Sequence, residues 1–172
     1  MINYREAKKI LIKSKIKIKD ELVDSSKSLN RINVLDIYCS VNYPSGTNAA
    51  FDGFAINSKD TNKLTKKNSL TFKILKTISA GDNPKLNKVK KNEAVEVMTG
   101  ALIPKGFDTI IPIEKIIFNL NNKGIIINKK IKKNQHLRYS GSDYKKKDLI
   151  IKKGTIIQSS HILAFKTLGI TK

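Results

Sequence analysis

The sequence predicts an α+β fold: a small α/β unit made from the two ends of the chain, carrying an inserted β-barrel. Three observations lead there. Apolar residues at helical spacing are confined to the first 30 residues and to 161–168. From Ile32 the apolar period falls to two, and beyond Pro44 short strand-like segments alternate with polar turn clusters, Lys59 to Asn68 and Asp82 to Asn92 being the longest. The expected boundaries are 1–44 plus 141–172 for the discontinuous unit and 45–140 for the barrel. A chain of 172 residues is long enough for one ordinary domain, or two small ones, with a real core.

Asn3-Tyr4-Arg5-Glu6 reads as a capping box, with Ala7, Ile10 and Leu11 at helical spacing behind it. Ile12, Ile16 and Ile18 then alternate with Lys. Asp20 is expected to start a second helix through Leu22, Val23 and Leu29, ended by Asn30, which tolerates a left-handed backbone. Val34, Asp36, Tyr38 and Ser40 alternate with Leu35, Ile37 and Cys39 as a strand. Further strands are expected at Leu70 to Ile78, Ala94 to Met98, Thr109 to Ile113, Ile116 to Leu120 and Gly124 to Lys130, with Asn121-Asn122-Lys123-Gly124 closing a hairpin. A strand pair follows around Leu149 to Ile151 and Thr155 to Ile157. Ser159 or Ser160 then caps a last helix, His161 to Leu168, with Gly169 at its C-terminal end.

The formal charge of +20 invites a nucleic-acid reading, but only three of the 34 basic residues are Arg: Arg5, Arg31 and Arg138. Lys spread over every segment makes a solvated surface, whereas the Arg forks that read bases or clamp phosphate are nearly missing and no aromatic stacking platform interleaves with the charge. No run approaches the roughly 18 apolar residues of a membrane helix. A single Cys39, no signal-peptide pattern and an early break into Lys make the cytoplasm the expected compartment.

Chemistry is expected at Ala49-Ala50-Phe51-Asp52-Gly53-Phe54-Ala55 and at Met98-Thr99-Gly100-Ala101, followed by Pro104-Lys105-Gly106. An Asp beside Gly faces solvent or a ligand, and Thr-Gly offers a hydroxyl next to bare backbone that an oxyanion can approach. Together they suggest a phosphate, oxyanion or Mg2+ site. Taken singly, Asp52-Gly53 is also a good hairpin turn and Thr99-Gly100 ordinary strand-end punctuation. Arg138-Tyr139-Ser140-Gly141-Ser142-Asp143 puts one Arg beside a glycine turn and a second carboxylate, as a planar fork or as a solvated loop. Glu114 is a further candidate, with a solvated strand-end charge as its plain alternative. His136, His161 and Cys39 cannot furnish a transition-metal site by themselves, and no nucleophile triad is suggested by spacing.

These motifs, in this order, resemble the N-terminal half of the molybdopterin molybdenumtransferases, the MoeA and gephyrin E-domain family. The match runs from Pro44 and Ala49 to Ala55, through Ala80-Gly81 and the long run Ala94 to Glu114, to Arg138, Gly141 and Asp143 and then Gly154 to Gly169. The sequence departs from the family pattern at Ala49 (usually Ser), Phe51 (Met), Glu96 (Arg), His136 (Asn), Ser142 (Glu) and Lys147 (Gly).

The resemblance implies an elongated α/β unit with an inserted β-barrel domain. It implies enzymes that take adenylylated molybdopterin and molybdate, with Mg2+, to molybdenum cofactor and AMP. By residue match, Asp52 and Thr99 would be catalytic, with Asp52 on the metal, and Gly53, Gly100, Arg138 and Asp143 would bind substrate. It further implies a homodimer and a pterin-binding domain that lies beyond this chain or in trans, so that this chain carries one wall of the cleft and turns over little alone. The alternative is a non-catalytic scaffold that keeps the fold and pairs with a separate pterin-binding chain.

Overall fold

The computed structural model describes residues 2–14, 18–65, 67–119 and 124–172. It is a mixed α+β structure whose chain divides into two compact units, 1–37 with 149–172 and 38–148.

In the first unit, helix α1 (Tyr4–Lys13) starts as the sequence predicts. The Asn3 side chain accepts from the Glu6 N–H at 3.0 Å and the Glu6 carboxylate accepts from the Asn3 N–H at 3.1 Å. No residue of α1 is buried. The expected alternation at Ile12, Ile16 and Ile18 falls partly on 15–17, outside the described residues.

The expected second helix from Asp20 does not form, and only a 3-10 turn, Ser25–Lys27, stands in its place. Local side chains out-compete the helix: Asp24 accepts from the Ser26 N–H at 2.8 Å and from its hydroxyl at 2.5 Å. The Ser25 and Asn30 N–H groups bond instead to the distant carbonyls of Thr171 and Ile157. Asn30 does take the left-handed conformation, at φ 64°.

The long strand expected from Ile32 shrinks to β1 (Ile37–Tyr38), which pairs with β10 (Leu149–Ile151). Ile32 and Ile156 meet only at an isolated bridge, so Thr155 to Ile157 is not a strand either. Helix α2 (Ser159–Thr167) begins two residues before the expected His161, after Gln158 rather than Ser159 or Ser160. His161 reaches back to fix that start, its Nδ1 accepting from the Gln158 N–H at 3.0 Å. Gly169 follows α2 at φ 73°. Ile151, Ile157 and Phe165 form the buried core of this unit, with Ile37, Ile150, Ile162 and Ile170 against it.

The second unit is built on a curled six-stranded sheet, a half-barrel with the order β6-β3-β5-β4-β8-β7. Its strands are β3 (Gly53–Ile56), β4 (Leu70–Ile78), β5 (Glu93–Val97), β6 (Thr109–Pro112), β7 (Ile117–Asn119) and β8 (Gly124–Ile127). Neighbouring strands of this sheet are antiparallel except β4 and β5, which run parallel with a register shift between Ile74 and Thr77. The hairpin expected at Asn121-Asn122-Lys123 lies outside the described residues; its flanking strands pair Ile117 with Ile126.

Both faces of the sheet are covered, which explains why β3 and β6 read as unbroken apolar runs rather than as alternation. Phe54, Ile56, Phe72, Ala94, Ile111 and Ile125 pack on one face. Ala55, Ile78, Val95, Val97 and Ile110 point to the other, over Ala49, Ala101 and Phe107. Two further short strands, β2 (Asn48–Ala49) and β9 (Leu137–Arg138), pair antiparallel with Asn48 opposite Arg138. No helix among the described residues is long and apolar enough to cross a membrane.

Candidate functional site

The register of β3 and β5 creates the site. Gly53 lies opposite Val97 in an antiparallel pair, so the next residue outward on one strand, Asp52, meets the segment Met98-Thr99 that leaves the other. Gly53 is required here for close approach and not for a turn: a Cβ on it would lie 2.1 Å from the Ile111 carbonyl oxygen of β6. The Asp-Gly hairpin reading is therefore set aside. Gly100, at φ 85°, turns the chain immediately after Thr99, a conformation that disfavours any side chain.

The backbone around Asp52 is pinned from three directions. Ala49 donates to Ala101 at 2.9 Å and accepts from Gly100 at 2.9 Å; Ala50 donates to the His136 carbonyl at 3.0 Å; the Asp52 carbonyl accepts from Ile113 at 3.0 Å. On this frame the Asp52 Oδ1 accepts from the Thr99 N–H at 2.6 Å and from its hydroxyl at 2.7 Å. The Thr99 hydroxyl, and then its N–H, hold the Asp52 carboxyl below the ordinary carboxylate range, against a small opposing cost of desolvation. Both Thr99 donors are spent on Asp52, so Thr99 orients the carboxylate instead of offering an oxyanion a free donor.

Asp52 is exposed, and its Oδ2 takes no hydrogen bond among the described residues. That oxygen and a lone pair on the Thr99 hydroxyl make a small set of hard donors. Such a set fits Mg2+, which is usually held by one or two carboxylates while water and substrate phosphate complete its shell. No cluster of three or more His, Cys, Asp or Glu able to cage a metal occurs among the described residues.

Arg138 and Asp143 form a second pair. The guanidinium Nη2 contacts the Asp143 Oδ2, and the Ser142 hydroxyl donates to the Oδ1 at 3.1 Å. The Arg138 hydrogen bond is the main cause that lowers the Asp143 carboxyl below its ordinary range. The guanidinium also lies 5.9 Å from the Tyr43 ring centroid, in cation–π range. No hydrogen bond joins this pair to Asp52 and Thr99 among the described residues. Glu114 sits exposed in the 3-10 turn Ile113–Lys115, next to the residue that donates to the Asp52 carbonyl, and its side chain makes no hydrogen bond or ion pair among the described residues.

One contact escaped the sequence reading. The Phe51 and His136 rings meet edge to face at 5.1 Å and 87°. The signal was available, because both are positions where the sequence departs from the pattern it resembles.

Comparison with known proteins gives one consistent answer. The model of the MoeA N-terminal region, domains I and II, matches residues 2–169. The chain belongs to this family. A molybdopterin molybdenumtransferase of Staphylococcus epidermidis is 30% identical over 171 residues, covering 99% of this chain and 40% of that protein. One of Staphylococcus aureus is 36% identical over 144 residues, 83% of this chain and 33% of that protein. A crystal structure of a molybdopterin biosynthesis MoeA protein from Pyrococcus horikoshii superposes with a TM-score of 0.84 at 30% identity, covering 99% of this chain and 44% of that one. This MoeA N-terminal region thus spans less than half the length of these relatives.

Two of its departures from the family pattern share a backbone trait. His136 and Lys147 have φ 57° and 78°, left-handed positions that Asn and Gly, the residues the resembled pattern would place there, tolerate best.

Proposed function

We propose that this chain works in molybdenum cofactor biosynthesis as the N-terminal part of a molybdenum-inserting enzyme, which converts adenylylated molybdopterin and molybdate to molybdenum cofactor and AMP. In this reading the half-barrel belongs to a β-barrel inserted in the α/β unit, and it contributes one wall of the cleft. A pterin-binding domain, on the same polypeptide or in trans, supplies the other wall within a homodimer. The observation that carries the proposal is the convergence of the two motifs most typical of the family, at Asp52 and Thr99, on one exposed, preorganised carboxylate.

Asp52 and the Thr99 hydroxyl would hold Mg2+, which when bound would neutralise phosphate charge on the substrate. Thr99 would fix the Asp52 rotamer, so that its free oxygen is already oriented when a cation or a phosphate-bound cation docks. Gly53 and Gly100 leave the surrounding backbone bare for close approach of substrate. The Arg138–Asp143 pair would bind substrate at the rim or hold the loop that does. Glu114, one residue beyond Ile113, whose N–H donates to the Asp52 carbonyl, is a further candidate carboxylate for the metal.

The test is cofactor synthesis from adenylylated molybdopterin, molybdate and Mg2+, with this chain supplied alongside the C-terminal region of a relative. Wild-type chain is expected to support synthesis, and Asp52→Asn to lower it by about a hundredfold while melting normally. Mg2+ titration by calorimetry gives a readout independent of turnover. Unchanged Mg2+ affinity and unchanged synthesis in Asp52→Asn would remove Asp52 from the site.

A further inference from the structure

A second concave site lies on the far side of β6 from β3. Here a groove of about 250 Å³ runs between β6 and the segment 129–136. None of Asp52, Thr99, Arg138 or Asp143 lines it.

Four lysines, Lys115, Lys129, Lys130 and Lys132, are among the residues that line this groove, with Ile111 and Ile131 in its apolar floor and Gln135 and His136 completing one wall. No carboxylate lines it, and none of these lysines is in an ion pair among the described residues. The nearby Asp108 carboxylate is already occupied, accepting from the Ser58 N–H at 2.7 Å and from its hydroxyl at 3.0 Å.

The walls are also fixed in place. Ile110 donates to the Gln135 carbonyl at 3.1 Å, Asn134 to the Asp108 carbonyl at 2.8 Å, and the buried Thr109 hydroxyl to the Lys132 carbonyl at 2.9 Å. On the other side the Ile131 N–H donates to the buried Thr61 hydroxyl at 2.9 Å. Four lysines lining one preformed concavity with no carboxylate among them favour a multivalent anion, which several ammonium groups can meet at once. Lys, a point charge on a flexible stem, suits phosphate oxygens better than it suits a planar carboxylate.

We propose that this groove binds a diphosphate group, either free or at the end of a nucleotide. Its floor gives a nucleotide apolar surface to rest on, so the two sources separate in one experiment.

Calorimetric titration of the full chain with pyrophosphate, ADP and adenosine, at ionic strength held constant with chloride, tests this. Pyrophosphate and ADP are expected to bind saturably at one site, with adenosine alone not binding. ADP tighter than pyrophosphate assigns a contribution to the floor; equal affinities assign the diphosphate alone, and both outcomes support the proposal. Lys129→Gln with Lys132→Gln should weaken both ligands at least about tenfold. The charge-matched control Lys8→Gln with Lys9→Gln, on the exposed helix α1, should leave affinity unchanged. Absence of saturable binding, or equal weakening in both double variants, overturns the proposal. Thermal melts of both variants establish that each is folded.

Discussion

Asp52 and Thr99 illustrate how one hydroxyl and one N–H fix the orientation of a surface carboxylate and lower its pKa. Without Thr99 the carboxylate would keep its charge at neutral pH but lose its fixed rotamer. Thr99→Val is therefore expected to weaken Mg2+ binding less than Asp52→Asn, and to raise the Asp52 carboxyl toward its ordinary value, measurable by NMR titration of the side chain. The residue scale also holds two sites of backbone strain. Left-handed conformation costs an L-residue with a Cβ roughly 1–2 kcal/mol, part of which glycine returns through the entropy of its unfolded chain. Lys147→Gly should thus stabilise by about 0.5–1 kcal/mol, seen as a higher urea midpoint. Lys147→Ala removes the same charge but keeps the strain, so a gain as large in Ala as in Gly would attribute the effect to charge. His136→Asn should gain less, because it gives up the ring contact with Phe51.

Among the elements, β3 depends most on a single residue. It is paired on both edges, and at Gly53 its backbone is pressed against β6. Gly53→Ala must push β6 away and is expected to cost roughly 3 kcal/mol, read from the denaturant midpoint. Gly154→Ala, at φ 81° with open space around it, should cost only about 1 kcal/mol. If the two variants lose equally, steric contact at β3 is not what Gly53 serves.

In the first unit, the turn at Ser25–Lys27 carries a pH dependence. The Ser26 hydroxyl, then its N–H, then Lys166 lower Asp24 to about 2. A carboxyl depressed in the folded state stabilises above its unfolded pKa of about 3.9, and loses that contribution as pH falls through its folded value. Melting temperature should therefore decline between about pH 4 and pH 2, and Asp24→Asn should flatten that decline. The same carboxylate is why the sequence misleads here. Apolar spacing at Leu22, Val23 and Leu29 reads as helix, but Asp24 and Ser26 satisfy one another locally and the segment takes its remaining partners from residues 157 and 171. Leu70–Ile78 carries no such competitor, and its bounds were legible residue for residue.

At the scale of the whole molecule, motif order made the family and the candidate residues legible, whereas their grouping was not. Which of Asp52, Thr99, Arg138 and Asp143 touch depends on the register of β3 with β5 and of β2 with β9, and register is a non-local property that spacing along one strand does not encode. Short strands were missed for the same reason: Asn48–Ala49 and Leu137–Arg138 are two residues each and owe their form to one another. Charge is the property that composition predicts best. With 34 basic and 14 acidic residues, and three ion pairs among the described residues, like-charge repulsion acts over the whole surface. The Debye length falls from about 10 Å at 0.1 M salt to about 3 Å at 1 M, so added sodium chloride screens repulsion between neighbouring lysines before it weakens the few close pairs. Melting temperature is expected to rise by a few degrees between about 0.05 and 0.5 M sodium chloride, by differential scanning calorimetry. A flat or falling profile would mean that the lysines are far enough apart for water alone to screen them. In that case the four that line one groove would stand out more sharply against the rest of the surface.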